Sequence, residues 1–310
     1  MLLSIVSPVY KAESIIEELV TRITAVCNSE NLKHEILLVE DNSPDQSWHI
    51  IQALSKKYTN LKGYKLSRNF GQHYAITAGI NKAKGDVVII MDCDLQDDPA
   101  YIPELISKYK EGFNVVCTIK KSKKYSFFRR VTSDFYFFLV NSLSDVKLEK
   151  NLGTMTLIDR KVADAFSKIK DYHRHSSMVF AWLGYNRGYI EIVQKPRFSG
   201  TSSYSFRKLL SHAVNGVISQ SDKLLKVSIS IGLILFLFSF LGGLYVVVKS
   251  FTTDFEAGWP SLFVLILFTS GIILLMIGIL GLYLGKVFEQ VKARPLFLIA
   301  DQTEHINELE

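Results

Sequence analysis

The chain has 310 residues, with 36 lysines and arginines against 30 aspartates and glutamates and a formal net charge of +6. That slight excess suits anionic lipid or phosphate partners, but with no supporting motif it excludes nucleic acid. Three scattered cysteines, Cys27, Cys93 and Cys117, exclude a disulfide framework and, lacking any CxxC pair, a cysteine-based zinc site.

The opening run MLLSIVSPVY lacks the basic start of a signal peptide, and Pro8 ends its apolar stretch. It predicts a first strand and a chain that starts in the cytoplasm. Apolar runs at Leu3–Val6, Ile36–Val39 and Val87–Met91 predict buried parallel strands, with weaker candidates at Gly63–Leu66 and Val115–Cys117. Helical patterns lie between them: Ser14 with Glu17 resembles a capping box, and Asp98-Pro99 reads as an N-cap followed by proline at N1. The fold class expected is α/β, an open, mostly parallel sheet flanked by helices, with ligands beyond the carboxyl ends of its strands.

Polar residues gather at that edge. Tyr10, after Pro8, can pack on a base, and Glu40-Asp41-Asn42-Ser43 can accept hydrogen bonds from a base or ribose; plain turn chemistry explains the same tetrapeptide. The main feature is VVIIMDCDLQDD at 87–98. A buried strand runs into Asp92, Asp94, Asp97 and Asp98, and carboxylates spaced i, i+2 in extended chain project to one side. Two close carboxylates repel unless a cation joins them, and Mg²⁺ or Mn²⁺ held so can also grip substrate phosphates. Cys93 between them reads as a small filler. The alternative is a polar turn after a strand.

Residues 120–139 place Lys120, Lys121, Lys123 and Lys124 before an apolar series at Phe127, Phe128, Val131, Phe135, Phe138 and Leu139 with near-helical spacing. This reads either as an interfacial helix bringing Arg129 and Arg130 to a lipid phosphate, or as a core helix behind a solvated basic loop. Residues 205–226 predict an amphipathic juxtamembrane helix after an α/β domain at 1–204, lying at the membrane surface or packed on the domain itself. Two uncharged stretches follow, 227–248 and 259–285, each reaching roughly 33 Å or more at about 1.5 Å per residue, enough to span a bilayer core. Lys223, Lys226, Lys286, Lys292 and Arg294 flank them, while the 249–258 loop has Lys249 as its one positive residue, beside Asp254 and Glu256. The positive-inside rule then puts the loop outside and both termini, including a 286–310 tail, in the cytoplasm. His73, His173 and His175 show no metal-ligand arrangement.

Taken together, SPVY at 7–10, VEDNSPDQS at 39–47, LSRNFGQHYAITAGI at 66–80 and MDCDLQDDP at 91–99 resemble glycosyltransferase family 2, over roughly residues 3–205. Arg68-Asn69-Phe70-Gly71 and Gln96 narrow the likeness to its polyprenyl-phosphate branch, which includes dolichol-phosphate mannose synthases and undecaprenyl-phosphate sugar transferases. The resemblance implies a GT-A fold and inverting transfer from a nucleotide-diphosphate sugar to a polyprenyl phosphate. It implies a nucleotide pocket of Pro8, Tyr10, Glu40, Asp41, Asp92 and Cys93, a Mg²⁺ or Mn²⁺ ion held by Asp94 and Gln96, and catalytic roles for Asp92, Asp94 and Arg68. Arg129 and Arg130, with Arg197 and Ser202 of a later family pattern, would meet the acceptor phosphate. UDP is the preferred nucleotide by analogy with the bacterial branch, with GDP open. The lipid bilayer is a partner, and self-association through the spans is left open.

Two departures stand out. Where relatives carry Gly-Asp-Phe-Arg, the chain has Gly153-Thr154-Met155-Thr156, without the acidic residue sometimes assigned as base. In the later pattern Ser203 replaces a lysine. Rival readings are a processive polysaccharide synthase, whose Gln-x-x-Arg-Trp motif is missing, and a non-catalytic membrane scaffold.

Overall fold

The structure, a computed structural model, describes residues 1–121, 149, 151–172, 174–194, 223–250 and 258–303. The described residues up to Gln194 and from Arg294 onward form one compact unit, and those from Lys223 to Ala293 a second.

The first unit is an eight-stranded sheet in the order β7-β5-β6-β4-β1-β2-β3-β8. Its strands are β1 (Leu2–Val9), β2 (Lys33–Glu40), β3 (Leu61–Leu66), β4 (Val87–Ile90), β5 (Val115–Lys120), β6 (Leu152–Asp159), β7 (Arg187–Ile192) and β8 (Ile299–Gln302). All five expected apolar runs fall on strands, Met91 lying one residue past β4. Strands β4, β1, β2 and β3 run parallel, so their carboxyl ends share one edge. The sheet is nonetheless mixed: β5 and β7 also run parallel, but β6 lies antiparallel to both β4 and β5, and β8 antiparallel to β3. The difference comes from strands without a continuous apolar run. β6 opens on Leu152-Gly153-Thr154, and β8 reads Ile-Ala-Asp-Gln, in the segment expected to be only a tail.

Alternation along the strands feeds two cores. Leu3, Ile5, Ile36, Leu38, Val87 and Ile89 face α1 (Ile16–Ser29), α2 (Ser47–Lys57) and α4 (Ile102–Lys110). Val6, Leu37, Val39, Val88 and Ile90 face α3 (Gln72–Lys82), α5 (Arg160–Lys168) and α6 (Ser176–Trp182). α3 lies close over β1: a Cβ on Gly79 would stand 2.2 Å from Val6 Cγ1, so only glycine permits the approach. α1 begins one residue later than the expected Ser14 cap. Ile15 is the N-cap of α1 with no side-chain cap bond, and the Ala12 carbonyl accepts from Ile15 N and Ile16 N instead. Asp98 does cap, accepting from Ala100 N at 3.0 Å ahead of a 3-10 turn at Pro99–Tyr101.

The second unit holds two long helices, α7 (Lys223–Ser250) and α8 (Trp259–Val291). Among the described residues, one helical stretch is long and apolar enough to cross a membrane: Phe268–Val291, with mean hydropathy 2.2. In α7 the corresponding apolar stretch, Leu225–Leu235, is shorter. The basic aromatic segment 120–139 beyond Lys121, the 205–226 helix up to Asp222, and Arg129, Arg130, Arg197 and Ser202 lie outside the described residues.

Candidate active site at the carboxyl edge of the sheet

The edge is built from the ends of β1, β2 and β4. Register puts Pro8 opposite Val39 and Val9 opposite Glu40, while Met91 N bonds Val6 O just past β4. Each of these strands leaves through a non-glycine residue in the left-handed region: Lys11 (φ 52°), Asn42 (φ 49°) and Leu95 (φ 55°). For buried Leu95 this conformation is a genuine strain, and strain of this kind concentrates at working sites.

The end of β2 carries two buried carboxylates. Glu40 is fully buried; its Oε1 accepts from Ser43 N, while Oε2 has no hydrogen-bond partner among the described residues. Burial raises its pKa, with Asp41 and Asp45 adding repulsion against the help of Ser43 and Lys65. Asp41 is engaged on both oxygens, Oδ1 accepting from Phe70 N at 2.7 Å and Oδ2 from Gly71 N at 2.8 Å. Burial raises its pKa too, countered by those amides and by Arg68. Gly71, at φ 106°, then opens α3 in a backbone conformation that side chains rarely adopt. Asp41 thus fixes the loop that leads into α3.

The loop after β4 concentrates negative charge. Burial, then the charges of Asp94 and Asp97, push the Asp92 pKa up to about 7, against donors on Gln72 and Thr154. Gln72 Nε2 donates to Asp92 Oδ1 at 2.6 Å. Asp94 Oδ1 accepts from Gln96 N at 3.1 Å, closing a tight turn. Asp97, only 2 % exposed, accepts on Oδ2 from Thr154 N (2.8 Å), Thr154 Oγ1 (2.9 Å) and Met155 N (3.0 Å), and on Oδ1 from Gln194 Nε2 (3.2 Å). Asp97 therefore binds β6 to the acidic loop. Burial and the Asp92 charge push the Cys93 thiol up to about 12, which favours the neutral thiol; the Tyr10 backbone bonds to it.

Pro8, Tyr10, Glu40, Asp41, Asp92, Cys93, Asp94 and Gln96 therefore share one edge, while Arg68 stands on the loop after β3, its guanidinium 4.1 Å over the Phe70 ring. Tyr10 is 45 % exposed, with Lys11 Nζ 5.6 Å from its ring centre. Gln72 and the Asp97–Thr154 pair had no sequence pattern to reveal them; the available signal was that the first residue of a helix aims back over its own amino end. No three His, Cys, Asp or Glu side chains among the described residues are placed to hold a metal. Crowded Asp92 and Asp94 still fit a divalent ion of the kind held by one or two carboxylates, with waters and substrate phosphates completing the shell. His73 Nδ1 lies 3.1 Å from Ser176 Oγ and its ring stacks on His175 at 4.0 Å, a packing arrangement between α3 and α6.

Residues 4–166 match the family described as Glycosyl transferase family 2. An uncharacterized glycosyltransferase of Synechocystis, sll0501, is 35 % identical over 301 residues, covering 96 % of this chain and 95 % of that protein. The SfII prophage-derived bactoprenol glucosyl transferase of Shigella flexneri is 32 % identical over 301 residues, covering 96 % of this chain and 97 % of that one. Among solved structures, the mannosyltransferase PcManGT from Pyrobaculum calidifontis, in complex with GDP-Man and Mn²⁺, aligns with a TM-score of 0.51 at 14 % identity. That alignment covers 70 % of this chain and 63 % of the other, less than two thirds of it, and shows a shared GT-A-type fold.

Proposed function

The chain belongs to glycosyl transferase family 2, and from that premise we propose that it moves a sugar from a nucleotide diphosphate onto a polyprenyl phosphate at the cytoplasmic membrane face. The observation that carries the reading is the meeting, at one sheet edge, of Glu40 Oε2, unpartnered among the described residues, with the crowded Asp92–Asp94 loop. A buried acceptor without a protein donor is costly unless a ligand supplies one, and the N–H of a nucleobase does so. One free oxygen suits the single imide N–H of uracil, which supports UDP as the donor nucleotide. Likeness to the Shigella bactoprenol glucosyl transferase over nearly the whole of both chains supports undecaprenyl phosphate as the acceptor.

Asp94, with Gln96 beside it, would hold Mg²⁺ or Mn²⁺, and a divalent ion there supplies neutralising charge for the departing diphosphate. The residues present do the rest. Pro8, Tyr10, Glu40 and Asp41 shape the nucleotide pocket; Asp92 orients the donor; Arg68, seated over the Phe70 ring, reaches a phosphate. A lipid phosphate oxygen attacks the anomeric carbon as the bond from that carbon to the β-phosphate oxygen breaks, inverting the centre and leaving a nucleoside diphosphate. A monophosphate has its second pKa near 6, so at neutral pH the nucleophile is already anionic. No protein base is needed, which accounts for Thr154 where relatives carry an acid. Arg129, Arg130, Arg197 and Ser202 are proposed for the acceptor phosphate, and α7 with α8 as two spans that keep both termini cytoplasmic.

The test is purified full-length chain with undecaprenyl phosphate, Mn²⁺ or Mg²⁺ and a panel of UDP- and GDP-sugars, read by the mass of the lipid. A lipid heavier by one sugar supports the reading; an unchanged lipid with every donor rejects it.

A further inference from the structure

We propose that Gln72 is a positioning residue for Asp92: its amide, delivered by the first turn of α3, holds one carboxylate oxygen so that the other is left for the nucleotide diphosphate. The inference rests on the functional reading above, because it supposes that Asp92 meets the donor.

Three observations carry it. First, Gln72 bonds across the chain, with Nε2 2.6 Å from Asp92 Oδ1, twenty positions away in sequence. Second, no local task explains the side chain. A glutamine at the first position of a helix could satisfy exposed amide groups, but α3 has no side-chain cap bond, and Phe70 N and Gly71 N already bond to Asp41. Gln72 is exposed, and immobilising an exposed glutamine costs roughly 1–2 kcal/mol of side-chain entropy. Third, the platform is rigid. Residues Ala75 to Ile80 are all buried, Gly79 seats the helix against Val6, and Asp41 with Gly71 fixes where it begins.

The chemistry of the loop explains the need. Asp92 stands beside the like charges of Asp94 and Asp97, and a hydrogen-bond donor offsets that repulsion while holding one of its oxygens. Thr154 offers a second hydroxyl donor, but that hydroxyl also bonds to Asp97 at 2.9 Å. Gln72 is the donor not shared with Asp97. Through it α3 links the two acidic strand ends, gripping β2 by backbone amides and the β4 loop by a side chain.

The test is calorimetric titration of UDP and of GDP, in Mn²⁺, into the detergent-purified full chain and its Gln72→Leu, Gln72→Glu and Gln72→Lys variants. Expected is roughly tenfold weaker binding for Gln72→Leu, as for loss of one hydrogen bond to a charged group, and weaker still for Gln72→Glu. Gln72→Lys, which restores a donor, returns affinity to within about threefold of the parent. Thermal unfolding midpoints that match across the set show that folding is intact. Equal weakening by leucine and lysine, or leucine binding like the parent, overturns the proposal. A parent chain that binds nucleotide but transfers no sugar refutes the functional reading alone, and the titrations still decide the role of Gln72.

Discussion

Asp41 and Gly71 are joined across thirty residues by a 2.8 Å hydrogen bond from the Gly71 amide to Asp41 Oδ2. With the Phe70 amide on Oδ1, this bond makes a carboxylate at the end of β2 the anchor of α3. Asp41→Ala leaves two amide groups without their acceptor and is expected to cost roughly 2–4 kcal/mol of stability. Asp41→Asn keeps one acceptor oxygen and costs less. Chemical denaturation of both variants checks the order.

Asp94 and Thr154 should separate sharply in activity. Asp94→Ala is expected to lower lipid-linked sugar formation by at least ~100-fold, the scale of losing electrostatic stabilisation of a leaving group. Thr154→Ala should lose less than ~10-fold, because general-base catalysis, commonly worth ~100-fold or more, is not demanded of it. Radiolabelled sugar incorporated into lipid reads both. Equal collapse would mean that position 154 takes part in proton transfer after all.

Glu40 sets stability against binding. Burial raises its pKa and Oε2 has no hydrogen-bond partner among the described residues, so the charged side chain is a cost to the ligand-free fold. Glu40→Gln is expected to leave the unfolding midpoint equal or higher while weakening UDP binding by roughly tenfold or more, as a charge-assisted hydrogen bond is lost. Calorimetry and thermal unfolding on the same samples decide it.

Away from the site, Glu35 should show the opposite sign. Burial works against its charge, but Lys62 Nζ (2.7 Å), Ser4 Oγ (2.7 Å) and Lys84 N (2.7 Å) outweigh it and lower its pKa. A depressed carboxylate stabilises the fold above its unfolded pKa, near 4.3, and that contribution fades as pH falls through the lower folded value. Glu35→Gln should therefore cost roughly 1–3 kcal/mol at pH 7, with the gap to the parent narrowing below about pH 4. Urea unfolding at several pH values measures the gap.

The parallel half of the sheet was legible because Leu3–Val6, Ile36–Val39 and Val87–Ile90 are buried on both faces and read as apolar runs interrupted only by Ser4. The antiparallel half was not. β6 carries polar side chains that its partners consume, as Thr154 shows on Asp97, and in sequence those residues looked only like a departure from a motif. β8 has no pattern of its own; Gly63, bonding to Thr303 Oγ1 and through its carbonyl to Thr303 N, recruits it from the far end of the chain. The acidic loop announced itself through its spacing, but the division of labour within it did not. Asp97 reads like its neighbours until the Thr154 and Met155 amides are seen to surround it. Gln72 was hidden for the same reason, since its partner lies on another element.

The account stands most directly on the mass of undecaprenyl phosphate incubated with the purified chain, UDP-sugars and Mn²⁺, before and after exhaustive chelation. It predicts a lipid heavier by one sugar with metal present, and none after chelation or with Asp94→Ala. Product formed at an undiminished rate without divalent ions would contradict it.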